Sequence, residues 1–326
     1  MLLLNEQQIR ECVQLEPRAL EAIEKAFVSL SGREAVVPSP LEFHLPHRNG
    51  EVHVKSAYLR GLPSYALKIA SGFYDNAARG LPTSSGLVVV LSAETGFPQA
   101  LLLDNGYLTD VRTALAGAIA AKYLAKKNAE TVGIVGAGVQ ARFQLQALSL
   151  VRKLGRVLVY GRNPEAAQKY ADEMSATMKV EVKPASAISD LVWRSDIVVT
   201  TTPSREPLIK ASDLHPGVHI TAMGSDLPGK QELDPAVLAR ADILVCDQIA
   251  QCAKAGELQH ALALRAVEKT KALEIGEVIA GAKLGRQNDN QITVCDLTGI
   301  GVQDTAIAML AYDQARARGL GAELSQ

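Results

Sequence analysis

The stretch TVGIVGAGVQARFQLQAL, Thr131 to Leu148, decides the fold. Its apolar start predicts a buried strand, two glycines follow at once, and a helical pattern begins behind them. Glycines at this point permit a tight turn and let the backbone approach a pyrophosphate at the positive end of a helix. A close-packed turn without a ligand is the alternative, but the surrounding strand and helix favour a dinucleotide site. Its candidate residues are Gly136, Gly138, Val139 and Gln140.

The same pattern continues on the C-terminal side of this loop. Short apolar strands alternate there with helical stretches, in the order RVLVYG, DIVVTTT, VHITAMG, DILVCDQ and ITVCDL. Such alternation predicts a parallel sheet with helices on both faces. We therefore predict an α/β fold with a Rossmann-type doubly wound parallel sheet, over residues 119–304.

A different pattern precedes the glycine loop. Residues 5–30 have helical spacing, and residues 40–103 alternate like strands, with Asn49-Gly50 as a hairpin signal. These segments predict a second, α+β domain with a mostly antiparallel sheet. The final helical stretch, QDTAIAMLAYDQARARG, can return to that domain, which would then comprise residues 1–118 with 305–326.

Composition excludes several classes of protein. The 326 residues are 48% apolar and 21% charged, with a formal net charge of -1 and 4% aromatic residues. Neither a basic stripe nor a stacking platform is present, which argues against a nucleic-acid partner. No apolar run has the length of a membrane span, and the N-terminus is too short and polar for a signal peptide. We therefore expect no membrane partner.

The cysteines and histidines do not suggest a metal site. The four cysteines lack zinc-like spacing, so we expect buried thiols in the reducing cytoplasm. His44, His47 and His53 lie around the hairpin turn without a carboxylate at metal-ligand spacing. A solvated hairpin tip is the better interpretation, and no metal is expected.

The second strand of the Rossmann pattern bears on the choice of cofactor. NAD-binding folds usually carry an acidic residue there that binds the ribose hydroxyls. This chain has Gly161, followed by Arg162 and Asn163. A missing carboxylate and a guanidinium suit a 2′-phosphate, so NADP(H) is favoured over NAD(H). The alternative is a solvated Arg162 with NAD bound through other contacts.

Five motifs together resemble the ornithine cyclodeaminase/μ-crystallin superfamily, in the family's order and over almost the whole chain. They are YALKIASGFYDN, DNGYLTDVRTALAGAIAAKYLA, VGIVGAGVQAR, TAMGSDLPGKQEL and DLTGIGVQDTA. The second and fourth look most like the branch found with ectoine-degradation genes, a relative of imine reductases. The resemblance implies a homodimer whose first domain holds a small imino or amino acid and whose second binds a nicotinamide cofactor.

The resemblance also implies roles for single residues. Lys68 and Arg112 match residues that bind the substrate carboxylate, and Asp226 matches an aspartate that faces the nicotinamide and handles a proton. Thr83 matches a threonine near the substrate. Further residues match the lining of the cofactor site: Thr200, Thr202, Met223, Gly224, Ser225, Thr298 and Gly299.

Elementary chemistry leaves other interpretations open for these residues. Lys68 can simply reach solvent, as most lysines do. Arg112 opposes the dipole at a helix start, and Asp104 or Asp110 can offset that cost. Asp226 can be an Asx-turn residue before Pro-Gly, and the threonine hydroxyls can cap the turn after their strand.

Glu42 departs from the family pattern. Relatives commonly carry an arginine at about this place in the early strand, where it helps to bind the substrate carboxylate. A glutamate would repel a second carboxylate and could receive an amine. This difference argues against a dicarboxylic imine and favours a substrate with a distal cationic group.

Together these features predict an NAD(P)H-dependent reductase of a small imino acid or cyclic ketimine, with hydride transfer to the imine carbon. One alternative is a redox-neutral cyclodeaminase that uses NAD internally, although Gly161 argues against it. The other is a non-catalytic binding protein on the same scaffold. The presence together of Lys68, Arg112 and Asp226 argues against that alternative.

Overall fold

The computed structural model describes residues 1–325, apart from the side chain of Ala77. The strands are β1 Leu2–Asn5, β2 Ala35–Val36, β3 Leu41–Leu45, β4 Gly50–Leu59, β5 Ser64–Phe73, β6 Ser84–Ser92, β7 Pro98–Leu103, β8 Thr131–Val135, β9 Arg156–Tyr160, β10 Glu181–Pro184, β11 Ile197–Thr200, β12 His219–Ala222, β13 Ile243–Cys246, β14 Ala272–Glu274, β15 Thr293–Asp296 and β16 Ala322–Glu323. The α-helices are α1 Glu6–Cys12, α2 Pro17–Ser31, α3 Tyr107–Leu124, α4 Val139–Leu148, α5 Pro164–Met178, α6 Ile188–Trp193, α7 Pro235–Arg240, α8 Ile249–Ala255, α9 Glu257–Ala263, α10 Ile275–Ile279 and α11 Gly301–Arg318.

The chain divides into two compact units, Met1–Arg112 with Ile300–Gln326 and Thr113–Gly299. The first unit has a mixed sheet in the order β16-β1-β7-β6-β5-β4-β2, with β3 also paired to β4. All its strand pairs are antiparallel except β1 with β7. Helix α11 packs against α2, β4 and β5. The predicted α+β fold with a sheet from both chain ends is therefore confirmed.

The N-terminal segment, where residues 5–30 have helical spacing, contains more than one element. It forms β1, α1 and α2 in succession, because Asn5 caps α1 and Pro17 starts α2. Proline has no N–H, and its ring clashes with the carbonyl four residues earlier, so it begins a helix more readily than it continues one. The missed strand β1 gains its hydrogen bonds from β7, a pairing that local sequence does not reveal.

The two faces of the first sheet differ. Alternate residues of β4 and β5 face α11 and are buried, including Ala57 and Ala66, which both hydrogen-bond to the Thr305 hydroxyl. Lys55 and Lys68 lie on this same face, directly opposite each other across the two strands. The structure thus places two lysines on the helix-covered face of a sheet, where apolar residues are the rule.

The second unit contains an all-parallel sheet in the order β10-β9-β8-β11-β12-β15-β13-β14. Apolar residues of its central strands, such as Val198, Ile220, Leu244 and Val294, are fully buried in one core cluster. This sheet confirms the Rossmann-type prediction. The strand order reverses between β8 and β11, and the carboxyl ends of strands at such a point form a ligand crevice. Across residues 1–325, no helix combines the length and apolarity needed to cross a membrane.

Candidate active site

A buried ionic cluster occupies the first unit. The Lys68 Nζ atom lies 3.1 Å from Oδ1 of Asp304, and the Arg112 Nε atom lies 3.0 Å from the same oxygen. Lys68 is 4% exposed, Arg112 6% and Asp304 2%. The alternative in which Lys68 reaches solvent is therefore wrong. Asp304, in the first turn of α11, was not among the residues that the sequence pointed to.

Arg112 has a counter-charge, Asp304, that the sequence-based alternatives did not include. Helix α3 begins at Tyr107, so Arg112 lies beyond its first turn. Asp104 instead uses its Oδ2 atom to accept a hydrogen bond from the Leu108 N–H at 2.8 Å. The guanidinium reaches Asp304, and its Nη1 atom donates to the Gln303 amide oxygen at 3.3 Å. A residue distant in sequence thus supplies the counter-charge.

Lys55 adds a third cation to the cluster. It is 7% exposed and lies opposite Lys68 in the register of β4 and β5. Burial lowers the pKa of Lys68 to about 7, although Asp304 opposes that shift. Burial alone would raise the pKa of Asp304, but Lys68 and Arg112 outweigh it and hold the pKa below its ordinary value. One carboxylate therefore faces three basic groups, and a cluster of basic groups of this kind can attract an anionic ligand.

Glu42 lies farther along the same face of the sheet. It pairs with His53 across β3 and β4, and His53 pairs in turn with Ala70, two residues from Lys68. The Oε1 atom of Glu42 lies 3.5 Å from His53 Nδ1, and that of Glu51 lies 3.6 Å from His53 Nε2. Glu42 is therefore part of an acidic pair around a histidine.

Thr83 lies just before β6, at the open end of the β5–β6 pair. Its carbonyl accepts a hydrogen bond from the Phe73 N–H at 2.8 Å. Its side chain is half-buried, and its role near the substrate stays a prediction.

The glycine loop in the second unit has the geometry of a phosphate site. Gly136 has φ +118°, and a Cβ there would lie 2.5 Å from the Thr201 hydroxyl, so only glycine fits. A Cβ at Gly138 would meet nothing within 4 Å, and no side chain caps helix α4 at this residue. Arg142 Nη1 braces the loop by donating to the carbonyls of Ala137 and Gly138 at 2.8 and 3.0 Å. The open, uncapped helix end fits a pyrophosphate.

The two residues that begin α4 differ in their contacts. Val139 is 59% exposed, and Gln140 accepts a hydrogen bond from the Gln144 amide at 3.4 Å. At the end of β9, a Cβ on Gly161 would lie 3.3 Å from that of Ala167, so this glycine permits close packing. Contacts with the cofactor remain predictions for all of these residues.

Arg162 and Asn163 follow that glycine. The Asn163 side-chain oxygen caps α5 by accepting from the Glu165 and Ala166 N–H groups. Arg162 is exposed and forms no ion pair within residues 1–325. Its guanidinium is thus available to an anionic group.

The threonines at the end of β11 converge on a residue that sequence reasoning missed. Glu232 is fully buried, and its carboxylate accepts from the Thr200 hydroxyl at 2.5 Å and from the Thr202 N–H and hydroxyl at 2.6 and 2.7 Å. It also accepts from the Gly224 N–H at 2.8 Å. Met223, which immediately follows β12, donates its N–H to the Thr200 carbonyl at 3.3 Å. The ends of β11 and β12 are therefore joined through one carboxylate.

Asp226 lies on the turn that follows. Its Oδ1 atom is 2.8 Å from Lys230 Nζ, and its side chain is 42% exposed against 10% for Lys230. Among the described residues it accepts no backbone hydrogen bond, so it does not form an Asx-turn. Ser225 and His260 both hydrogen-bond to the Lys230 carbonyl, at 2.7 and 2.8 Å, and hold the turn in place. The turn presents a carboxylate paired with one lysine.

A second buried carboxylate organises the turn after β15. The Oδ2 atom of Asp247 accepts from the Thr298 and Gly299 N–H groups at 2.8 and 2.7 Å, and its Oδ1 from the Thr298 hydroxyl at 3.0 Å. Asp247 is fully buried. Thr298 and Gly299 lie at the carboxyl ends of the strands, as a ligand-binding turn of this fold should.

Two thiols approach a carboxylate nearby. Ligand atoms of Cys246, Cys252 and Asp296 lie within 4.8 Å of one another. Burial raises the pKa of the Cys252 thiol, which donates to Asp247 Oδ1 at 3.2 Å, so it keeps its proton. Because metals bind thiolates, a thiol that keeps its proton does not favour a metal at this position.

The chain is similar to known proteins over almost its whole length. The model of the ornithine cyclodeaminase/mu-crystallin family matches residues 1–319. An uncharacterised cyclodeaminase of Sinorhizobium fredii is 46% identical, over 98% of both chains. A solved archaeal alanine dehydrogenase dimer with bound NAD is 36% identical, with TM-score 0.92, and the match covers 100% of this chain and 99% of that one. The Thermococcus litoralis Δ1-pyrroline-2-carboxylate reductase, solved with NADH and L-proline, is 32% identical, with TM-score 0.93 and coverage of 99% and 100%.

Proposed function

Because this chain belongs to the ornithine cyclodeaminase/mu-crystallin family, we propose that it reduces a small 2-imino acid or cyclic ketimine with NAD(P)H. Its enzymatic class is that of an NAD(P)-dependent oxidoreductase acting on C–N bonds, as in the relatives named dehydrogenase and reductase. The proposal concerns the reaction direction, the substrate and the residues responsible. It does not adopt the alternative of a non-catalytic binding protein on the same scaffold.

The observation that carries the proposal is the convergence of buried basic groups on Asp304. Lys55, Lys68 and Arg112 are all at least nine-tenths buried, and all three lower the pKa of the Asp304 carboxyl. A substrate carboxylate that joined Lys68 and Arg112 would gain charge-assisted hydrogen bonds in a buried setting, where such contacts are strong. An α-imino acid brings such a carboxylate next to its C=N carbon. Lys68 and Arg112 are assigned to this carboxylate.

Asp226 is assigned to the proton on the imine nitrogen. Reduction of a C=N bond needs a hydride on the carbon and a proton on the nitrogen, and the cofactor supplies the hydride when it is bound. Asp226 is only partly buried and can take its proton back from water after each turnover. Its ion pair with Lys230 stabilises the carboxylate that remains once the proton has left.

For the cofactor we propose that Arg162 reads a 2′-phosphate, so that NADPH is used in preference to NADH. The support is the absence of an acidic residue at Gly161 and the exposed guanidinium beside it. The two solved relatives described above contain NAD and NADH. Both cofactors therefore belong in every assay.

One second function is favoured by a specific observation, the cyclodeaminase name of the 46% identical Sinorhizobium fredii protein. A redox-neutral cyclodeaminase would release ammonia from a diamino acid with no net change in NAD. The Glu42–His53–Glu51 group suits a distal amine, whereas the nearby Lys55 opposes one. The experiment that separates the two functions is a parallel measurement of nicotinamide absorbance and free ammonia.

We also propose a cytoplasmic homodimer formed through the sheet face opposite α11. That face carries exposed apolar side chains: Leu41 at 62%, Phe43 at 48%, Ile69 at 36% and Leu103 at 38%. Contiguous exposed apolar surface is typical of an interface, and the archaeal relative is a dimer. Sedimentation of Ile69→Asp should show monomers, whereas Leu284→Asp, at an exposed apolar site in the other unit, should leave the dimer intact.

A further inference from the structure

We propose that Glu232 and Asp247 are positioning residues that hold the strand-end loops in the conformation that binds the nicotinamide cofactor. This inference rests on the proposed function and deepens it. In this proposal Thr200 and Thr202 hydrogen-bond to Glu232 and do not contact the cofactor directly. Neither acidic residue stands out in the sequence, because each acts on loops that the fold brings to it.

Glu232 uses the full acceptor capacity of an ionised carboxylate. One oxygen accepts from the Thr202 N–H and hydroxyl, and the other accepts from the Thr200 hydroxyl and the Gly224 N–H. Four donors on two oxygens match a carboxylate and do not match a neutral amide. Each of the two threonine hydroxyls donates its single proton to Glu232. The carboxylate therefore fixes the backbone of two loops at once.

Two glycines allow close approach of buried carboxylates. A Cβ on Gly224 would lie 2.1 Å from the Thr202 carbonyl oxygen and 2.5 Å from the Glu232 carboxyl carbon, and a Cβ on Gly256 would lie 2.4 Å from Asp296 Oδ2. Neither glycine has a positive φ, so backbone conformation does not demand glycine at either place. The glycine of the Gly-Ser-Asp turn is thus explained by the Thr202 carbonyl and the Glu232 carboxylate together.

Asp247 does the same for the turn after β15. It takes both backbone N–H groups of Thr298 and Gly299 on one oxygen, while its other oxygen accepts from the Thr298 hydroxyl and the Gln248 N–H. Gly299 has φ +73°, a conformation that glycine adopts without strain. The turn is therefore held from inside the protein by one buried carboxylate.

Two further carboxyl groups connect these centres. Glu257 accepts from the N–H groups of Glu232 and Leu233 at 2.8 and 3.0 Å, and Asp296 accepts from the Leu258 N–H at 2.9 Å. Burial, and then the neighbouring Asp296, raise the pKa of Glu257 to about 9, so Glu257 is protonated at neutral pH. A protonated Glu257 thus reduces repulsion among the carboxyl groups of this network. Loops held this way need little ordering when a ligand binds, which favours affinity.

The test is cofactor binding, measured by fluorescence titration with NADPH and with NADH on the purified full chain. Glu232→Gln places an amide NH₂ against donors, so the loops should rearrange and the Kd should rise about tenfold, or 1.4 kcal/mol. The matched control is Asp196→Asn, because Asp196 likewise accepts two backbone N–H groups, those of Glu130 and Thr131, but at the amino ends of the strands. Its Kd should stay at the wild-type value. An unchanged Kd in folded Glu232→Gln would overturn the inference.

A double-mutant cycle separates positioning from direct contact. Thr202→Val should weaken binding alone, Thr202→Ser should restore it, and adding Thr202→Val to Glu232→Gln should cost nothing more. Additive losses would show that Thr202 binds the cofactor directly and would refute its assignment to Glu232. If Glu232→Gln does not fold, Asp247→Asn and Thr202→Val serve as the test variants. Both should bind the cofactor more weakly than the wild type, and unchanged binding in either would contradict the proposal. Wild-type protein that binds neither cofactor would instead refute the proposed function.

Discussion

Lys68 and Asp304 form a buried ion pair, with the lysine Nζ 3.1 Å from the aspartate Oδ1. The lysine lies in the middle of β5, and the aspartate lies in the first turn of α11, near the C-terminal end of the chain. Within residues 1–325 neither oxygen of Asp304 accepts a well-aligned hydrogen bond, so the attraction is largely electrostatic. The pair therefore stabilises the charged form of Lys68, and an ammonium with three N–H donors can still bind a ligand carboxylate.

The proton on Lys68 should govern substrate affinity. Its pKa of about 7 means that the ammonium is lost as the pH rises through neutrality, and a neutral amine no longer attracts a carboxylate. The KM for the imino acid should accordingly rise above pH 7, by up to about tenfold per pH unit. Steady-state kinetics from about pH 6 to about pH 9, a range that spans this pKa, would measure the change in KM. Lys68→Met should abolish the dependence, and Lys25→Met on the exposed side of α2 should leave it intact. A flat KM in the wild type would contradict the assignment.

Removal of Asp304 should destabilise the first unit. Asp304→Asn removes the carboxylate that pairs with Lys68 and Arg112, and loss of one partner of a buried pair typically costs about 3–5 kcal/mol. The free energy of unfolding in urea would measure the effect. Asp190→Asn, which breaks an exposed pair with Arg194, should cause no measurable change. Equal stability of both variants would show that Asp304 does not offset the cationic charge.

Asp226→Asn should slow the chemical step without weakening cofactor binding. The amide keeps the shape of the side chain but cannot transfer the proton, so kcat should fall by about 10²- to 10⁴-fold. The Kd for NADPH should stay within about twofold of the wild-type value, since the backbone of the turn is held by other groups. Asp234→Asn, which alters only the cap of α7, provides the control in the same segment. Turnover at the wild-type rate in Asp226→Asn would exclude the proton role.

Arg162→Ala should affect the two cofactors unequally. If the guanidinium binds a 2′-phosphate, the variant loses a charged hydrogen bond worth about 1.5–3 kcal/mol, and the KM for NADPH rises roughly 10- to 100-fold. The KM for NADH should be unchanged. Lys169→Ala removes another exposed cation from the following helix and should alter neither value. Equal effects on NADPH and NADH would refute phosphate recognition by Arg162.

The sequence predicted those features that depend on local pattern. The glycine loop, the strand-helix alternation and the hairpin at Asn49-Gly50 each require only neighbouring residues, and they led to both sheets. The pairing of β1 with β7 and the break before Pro17 were missed. The first depends on a partner far along the chain, and the second is hidden by helical spacing on both sides of the break.

The candidate site was predicted only where a family motif marked it. Asp304, Glu232 and Asp247 escaped notice because a lone carboxylate in a helix or strand resembles a solvated residue until the fold buries it. Lys55 offered a weak signal, since it falls in the same alternate set of β4 as the apolar Ala57 and Leu59. Its importance follows from cross-strand register with Lys68, which only the structure supplies.

The most direct test of the central claim is the stoichiometry of cofactor consumption. Purified protein would be given imino acids and cyclic ketimines with NADPH or NADH, while parent diamino acids are assayed in parallel for released ammonia. We expect one equivalent of reduced cofactor to be oxidised for each imine that is reduced. The parent diamino acids should release no ammonia unless cofactor is consumed. Ammonia release from a diamino acid with no net change in NAD would contradict it and identify a cyclodeaminase.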